Sequence, residues 1–226
     1  MKKSRLSLFP GSLKAMNHLK RSDPRFAPVF ARVGRMKVEL DRKETVFESL
    51  AVSIIYQQLH GKAAAAITAK FRALFPKTRR FPGPKAILAM DPARIRTAGL
   101  SEAKTAAILD LARKTLAREV PDRRAAEKLT DEELIAAFTK VKGVGPWTAQ
   151  MLLIFTLGRI DVLPTGDYGV RKGLARLYGL KELPTPKELD SMGAKWAPYR
   201  SVAAWYLWRV TELEGFSSNA SAASSG

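Results

Sequence analysis

The sequence predicts an all-α protein, and three observations carry that reading. Helix-start signals recur along the chain. They appear as a capping residue followed by proline (Asp23-Pro24, Thr185-Pro186) or as the threonine–glutamate spacing of a capping box (Thr130 and Glu133). Between these signals, apolar residues repeat at the three- and four-residue spacings that place them on one side of a helix. No stretch shows the alternation of a half-buried strand, and there is no internal repeat.

Taken in order, Asp23 caps and Pro24 opens a helix carrying Phe26, Val29, Phe30 and Val33, which Gly34 closes. A buried helix over 44–59 follows, with Val46, Phe47, Leu50, Val52, Ile54 and Ile55 as its apolar set. The next, 62–75, begins with an alanine run whose small side chains permit close packing. Residues 76–84 form a basic, proline-containing loop. A short helix over 85–90 precedes Asp91-Pro92. A long one over 101–119 gathers Ala103, Ala106, Ala107, Leu111 and Leu116 on one side. The capping box at Thr130 sends a helix to Lys140, and Pro146 suits the first turn of a helix over 147–157. A loop over 158–166 leads to a helix over 168–178. Thr185 then caps a short helix after the Leu183-Pro184 linker, and 198–214 is the last. The tail, 216–226, is low-complexity and expected to be disordered.

Composition bounds the function. The 226 residues hold 39 Lys plus Arg against 21 Asp plus Glu, a net charge of +18, and the sequence pI is near 10.3. Such an excess predicts a polyanionic partner, because each phosphate neutralised releases condensed counterions. Zero cysteines exclude disulfides, a thiol nucleophile, zinc–thiolate sites and cysteine-ligated iron–sulfur clusters. His18 and His60, the only two histidines, are too few for a histidine-rich metal centre. The basic N-terminal segment, 1–11, has too short an apolar stretch for a signal peptide, and no window is apolar enough to span a membrane. An intracellular protein (cytoplasm and nucleoid, or nucleus) with no membrane partner is the expectation.

The most informative stretch is the glycine turn Lys142-Gly143-Val144-Gly145-Pro146 between two helices. Gly143 and Gly145 let the backbone approach a flat or charged partner closely, and amides at the start of the next helix carry the positive end of its dipole. A phosphate oxygen fits there, with Lys142 adding a formal charge; a plain helix–turn–helix connection accounts for the turn equally well. Twenty-two residues after Gly145 comes Asp167, at the start of a helix. An aspartate there serves as an N-cap, and the same position suits a catalytic anion, ionised and aimed by helix amides.

Residues 141–150 (VKGVGPWTAQ) followed by 163–173 (LPTGDYGVRKG) resemble the helix-hairpin-helix DNA glycosylase superfamily. Residues 53–66 (SIIYQQLHGKAAAA) and 196–205 (WAPYRSVAAW) are similar to its 3-methyladenine DNA glycosylase II, or alkylbase glycosylase, branch. The resemblance covers residues 12–214 with the segments in the family's order. It implies two helical subdomains flanking an active-site cleft: a terminal one from 12–48 plus 166–215, and a central bundle, 49–165, with the hairpin at 131–157. It also implies a compact form without the extra N-terminal β domain of some relatives.

The implied function is monofunctional hydrolysis of the N-glycosidic bond of alkylated bases (3-methyladenine, 7-methylguanine) in double-stranded DNA, as in base excision repair, by a monomer. By resemblance Asp167 is the catalytic anion facing an oxocarbenium-like sugar. Relatives that also cut the strand carry a Schiff-base lysine where Trp147 stands here, so no lyase activity is expected. Trp147 and Tyr199 match positions near the base pocket, with Tyr168 and Tyr56 as companions. Relatives often have tryptophan where Tyr199 stands. Trp196, Trp205 and Trp208 read as packing residues. Extrusion of the base needs a wedge; Gln58 is the best match, with Leu59 and His60 as close alternatives. Lys142, Gly143, Gly145, Lys62, Arg171 and Lys172 are the expected phosphate contacts. No cofactor is implied beyond a Na+ or K+ on the backbone carbonyls of Thr139, Val141 and Val144. Two alternatives stay open: a same-fold glycosylase for deaminated or oxidised bases, and a non-catalytic hairpin protein that only binds DNA.

Overall fold

A computed structural model describes residues 7–8, 12–40, 44–76, 78 and 80–216. Most of the N-terminal basic segment and residues 217–226 of the expected disordered tail lie outside the described residues. Among the described residues the architecture is all-α apart from one two-residue antiparallel bridge, β1 (Ser7–Leu8) with β2 (Glu39–Leu40), in which Ser7 faces Leu40. The chain divides into two compact units, 1–41 plus 158–226 and 42–157. Those boundaries precede the expected ones at 48 and 165, because Val46 begins a helix that packs within the second unit and Gly158 already belongs to the first.

The first unit contains α1 (Ser12–Ser22), α2 (Ala27–Val33), α11 (Tyr168–Tyr178), α12 (Pro186–Gly193) and α13 (Arg200–Glu212). α11 and α13 form its centre, and Gly173 explains their closeness. A Cβ there would lie 2.0 Å from the Leu207 carbonyl oxygen, so the two backbones touch where a side chain would stand. Leu19, Phe26, Val29, Leu174, Trp196, Tyr206 and Val210 are fully buried around them. α1 has no sequence signal as clear as a cap and proline, and the boundary reading misses it; its amphipathic pattern buries Ala15 and Leu19. Asp23 does not cap a helix as expected. Its carboxylate is buried and receives Trp196 Nε1 at 3.0 Å and the Tyr178 hydroxyl, with Lys195 Nζ at 3.3 Å, while Pro24–Phe26 makes only a 3-10 turn before α2. Long-range partners outcompete the local cap. Gly34 closes α2 at φ +71°, as expected.

The second unit contains α3 (Val46–Tyr56), α4 (Gly61–Ala73), α5 (Pro84–Leu88), α6 (Pro92–Arg96), α7 (Glu102–Leu116), α8 (Arg123–Ala126), α9 (Asp131–Phe138) and α10 (Pro146–Leu152). α3 starts later than expected because Thr45, not Glu44, is the cap: its Oγ1 accepts the Glu48 N–H at 3.0 Å. Two one-turn helices, α6 and α8, escape the sequence reading. Each is set by a local aspartate, Asp91 accepting from Ala93 N and Asp122 from Ala125 N. The expected helix over 147–157 is α only to Leu152 and continues as a π-helical turn, Leu153–Leu157, with Arg123 Nη1 donating to the Thr156 carbonyl at 2.8 Å. Capping boxes form at Thr130/Glu133, and in the first unit at Thr185/Glu188.

Candidate active site

In the first unit, a tight turn delivers Asp167 to the N-terminus of α11. The Thr165 N–H bonds the Leu163 carbonyl at 2.9 Å and the Asp167 N–H bonds that of Pro164 at 3.0 Å. Asp167 is buried, with 8% of the residue exposed. Its Oδ1 accepts the Val170 N–H at 2.8 Å, so the aspartate is indeed the N-cap, and it also accepts Trp208 Nε1 at 2.9 Å. Two donors converging on one oxygen fix the plane of the carboxylate, which a cap alone does not require.

Trp208 was expected to serve packing only, and this hydrogen bond corrects that reading. It comes from α13, 41 residues away, and no local pattern marks it. Gly169 was also missed, although a glycine in the first turn of a helix is a recognisable sign of close approach. A Cβ at Gly169 would sit 2.8 Å from Trp208 Cδ1 and 3.2 Å from Asp167 Oδ1, so the missing side chain makes room for the indole on the carboxylate.

Tyr168, next to Asp167, is 65% exposed. Arg171 donates from Nε to the Pro184 carbonyl at 2.6 Å, which ties that side chain to the linker before α12, and Lys172 is exposed. Tyr199 packs its ring 5.3 Å from that of His18. Both line a recess of about 390 Å³ shared with Lys14 and Arg21, so the charge beside Tyr199 opposes a cationic base and favours an anion.

In the second unit, α9 and α10 form a helical hairpin around Thr139–Gly145. Gly143 lies at φ +74°, a left-handed conformation that favours glycine. Gly145 is the residue before α10, with Pro146 at the first helical position, and a Cβ built on it would meet nothing within 4 Å. Its face of the turn is open. Asp110 on α7, another residue absent from the sequence reading, anchors the turn. It is buried, accepts the Lys142 N–H at 2.9 Å on Oδ2 and is bridged by Lys114 Nζ at 2.8 and 2.9 Å. Burial pushes its pKa up, but the hydrogen bonds from Lys114 and Lys142 and their charges outweigh that and hold it below the usual carboxylate range. Trp147, in the first turn of α10, is 51% exposed.

The turn after α3 holds the three candidate wedge residues. Gln58 adopts φ +57°, Leu59 is 38% exposed, and His60 precedes α4 without capping it through its side chain. Tyr56 is 40% exposed at the end of α3, and Lys62 is exposed in the first turn of α4. Thr139 and Val141 lie at the start of the hairpin turn and Val144 near its end. The Val141 carbonyl already receives the Val144 N–H at 3.1 Å. Neutral backbone oxygens in one turn are a donor set suited to an alkali cation. Among the described residues no three or more His, Cys, Asp or Glu cluster to hold a metal, and no helix is long and apolar enough to cross a membrane.

α9, the glycine turn and the proline-started α10 make a helix–hairpin–helix arrangement in the second unit. The chain belongs to the HhH-GPD superfamily of base excision DNA repair proteins, whose model matches residues 51–198, as the sequence resemblance implies. It is 37% identical over 205 residues to DNA-3-methyladenine glycosylase 1 of Schizosaccharomyces pombe, covering 90% of this chain and 89% of that protein. It is also similar to a solved structure of the S. pombe 3-methyladenine DNA glycosylase Mag1 in complex with abasic DNA (TM-score 0.77, 36% identity, 89% of this chain and 98% of the other). A third likeness is the structure of a DNA-3-methyladenine glycosidase from Bacillus halodurans (TM-score 0.78, 32% identity, 91% of each chain).

Proposed function

We propose that this protein is a monofunctional DNA glycosylase that releases alkylated bases, 3-methyladenine and 7-methylguanine, by hydrolysing the N-glycosidic bond in double-stranded DNA inside the cell, acting as a monomer. The observation that carries the reading is Asp167: a buried carboxylate held on one oxygen by two N–H donors at 2.8 and 2.9 Å. Departure of the base puts positive charge on the deoxyribose, and a fixed anion in a water-poor setting stabilises that charge without reorganising. The same carboxylate orients the attacking water. Both bases are cationic when alkylated, so they leave without a proton donor and no second carboxylate is required.

Trp147 and Tyr56 in the second unit and Tyr168 in the first are each exposed, electron-rich rings of the kind against which a cationic base stacks, worth about 0.5–2 kcal/mol. Tyr199, beside Lys14 and Arg21, is the weaker partner for a cation. Trp147 stands where lyase relatives carry their nucleophile and has no amine, so the product is an abasic site in an uncut strand. The open face of Gly145, the amides of the first turn of α10 and Lys142 take a backbone phosphate, with Gly143 shaping the turn, Lys62 as a further contact and Arg171 partly committed to Pro184. The carbonyls of Thr139, Val141 and Val144 would hold a monovalent cation whose charge adds to this phosphate grip. Gln58 fills the gap left by the extruded base, flanked by Leu59 and His60.

The test is chromatography of the bases released from methylated duplex DNA. Wild type should release 3-methyladenine and 7-methylguanine, and Asp167→Asn should release neither while still binding DNA. Absence of both products from the wild-type reaction would refute the assignment.

A further inference from the structure

We propose that Gln57, one residue before the expected wedge, couples the wedge turn to the phosphate-binding hairpin so that gripping the backbone and filling the gap act as one step. The inference rests on the functional reading above and concerns a positioning residue that neither the sequence motifs nor the carboxylate chemistry explains.

The geometry lies wholly within the second unit. Gln57 Nε2 donates to the Gly143 carbonyl at 2.8 Å, joining residues 86 apart in sequence. Gly143 is the left-handed glycine at the tip of the hairpin. Gln58 is itself left-handed at φ +57°, a conformation unfavourable to a non-glycine residue that persists only where its surroundings hold it. They do so through three bonds. Lys104 Nζ donates to the Ile55 and Gln57 carbonyls, both at 2.7 Å, and the Leu59 N–H bonds the Tyr56 carbonyl at 3.2 Å.

Both ends of the Gln57 link are fixed to one helix. Lys104 on α7 holds the wedge turn, and Asp110, six residues on, holds the Lys142 amide. Ala107, midway, has its Cβ 3.7 Å from where a Gly143 Cβ would be. At 100° per residue these three positions fall within an arc of about 120° on one side of α7. α7 is therefore the common frame, and Gln57 is the direct tie across it. A backbone phosphate settling on the hairpin transmits its position to Gln58 through that tie. A single hydrogen bond contributes about 1 kcal/mol net, which converts to roughly fivefold in a rate.

The test compares Gln57→Met, which keeps length and removes the donor, with wild type in two readouts. In single-turnover base release, the variant should be about fivefold slower on methylated duplex and unchanged on methylated single strands, where no gap needs filling. Its effect should vanish in a Gln58→Ala background, since both changes act through the wedge. Equal slowing on both substrates, an effect additive to Gln58→Ala, or no slowing on duplex would overturn the proposal. The second readout needs no catalysis: the fluorescence of 2-aminopurine beside an abasic site, which rises when the wedge unstacks it. Gln57→Met should bind that duplex yet give a smaller rise, and a rise equal to that of wild type would overturn the coupling. A wild type that releases no alkylated base but gives the full rise refutes the glycosylase assignment alone.

Discussion

Gly169→Ala should separate catalysis from folding, because the glycine serves the carboxylate rather than the helix. An alanine Cβ would lie 2.8 Å from Trp208 Cδ1, against ordinary contacts of 3.4–4 Å, so the indole must withdraw by about 0.6–1.2 Å. A shift of that size is enough to carry the 2.9 Å bond from Trp208 Nε1 to Asp167 Oδ1 beyond hydrogen-bonding range. The same Cβ would lie 3.2 Å from Asp167 Oδ1 and pushes that oxygen by a few tenths of an ångström; the Val170 N–H still caps Asp167, but the carboxylate loses one of the two donors that set its plane. A hydrogen bond to a charged group contributes about 1.5–3 kcal/mol, and if that aim is expressed in the transition state the rate falls about 10- to 150-fold. The folded state loses the same bond, offset by about 1 kcal/mol because alanine is favoured over glycine in a helix, so stability should fall by about 0.5–2 kcal/mol, a fraction of the usual stability of a domain. The assay is single-turnover base release from methylated duplex, alongside DNA affinity and the thermal midpoint. Wild-type excision in this variant, or a loss of rate matched by an equal loss of affinity, would refute the role given to the Trp208–Asp167 bond.

Gly145→Ala should leave the free protein intact, since its Cβ meets nothing within 4 Å, and should weaken binding to damaged and undamaged DNA alike; unchanged affinity by fluorescence anisotropy would remove the hairpin from the interface. Borohydride added during turnover should trap no protein–DNA adduct on a denaturing gel, and a clear adduct would mean an amine attacks the sugar despite Trp147. Asp110→Asn should lower DNA affinity most at neutral pH. The depressed pKa of Asp110 stabilises the folded turn above the unfolded carboxylate range and that contribution is lost as pH falls through the folded value, so affinities of variant and wild type should converge in acid.

What was legible in the sequence was local. The capping box at Thr130, the caps at Thr185 and Asp167 and the stop at Gly34 are written within three or four residues, and each forms as read. The hairpin glycines are legible for the same reason. Asp23 misleads because its carboxylate is claimed by Trp196 and Tyr178 from far along the chain, which a local pattern cannot anticipate. The end of the α10 segment misleads because a π-helical turn keeps the apolar run of a helix while widening its hydrogen bonding. In the candidate site, Asp167, the hairpin glycines and the exposed aromatic residues stand out in the sequence, whereas the side chains that hold Asp167 and the turns in place do not. Trp208 lies 41 residues from Asp167, Gln57 lies 86 from Gly143, and Asp110 lies 32 from Lys142.

That division bears on the two readings of Asp167, as a helix cap and as the proposed catalytic anion. As an N-cap Asp167 needs only to accept the Val170 N–H, and asparagine does that almost as well. Loss of excision in Asp167→Asn with an unchanged thermal midpoint would therefore assign the activity to the charge and not to the cap. A cap alone also gives no reason for a tryptophan from α13 to donate to the same oxygen, or for Gly169 to leave the space through which it does so. Those two features constrain the orientation of a carboxylate that the helix already holds in place. The helix start provides the position, and the Trp208–Gly169 pair provides the aim.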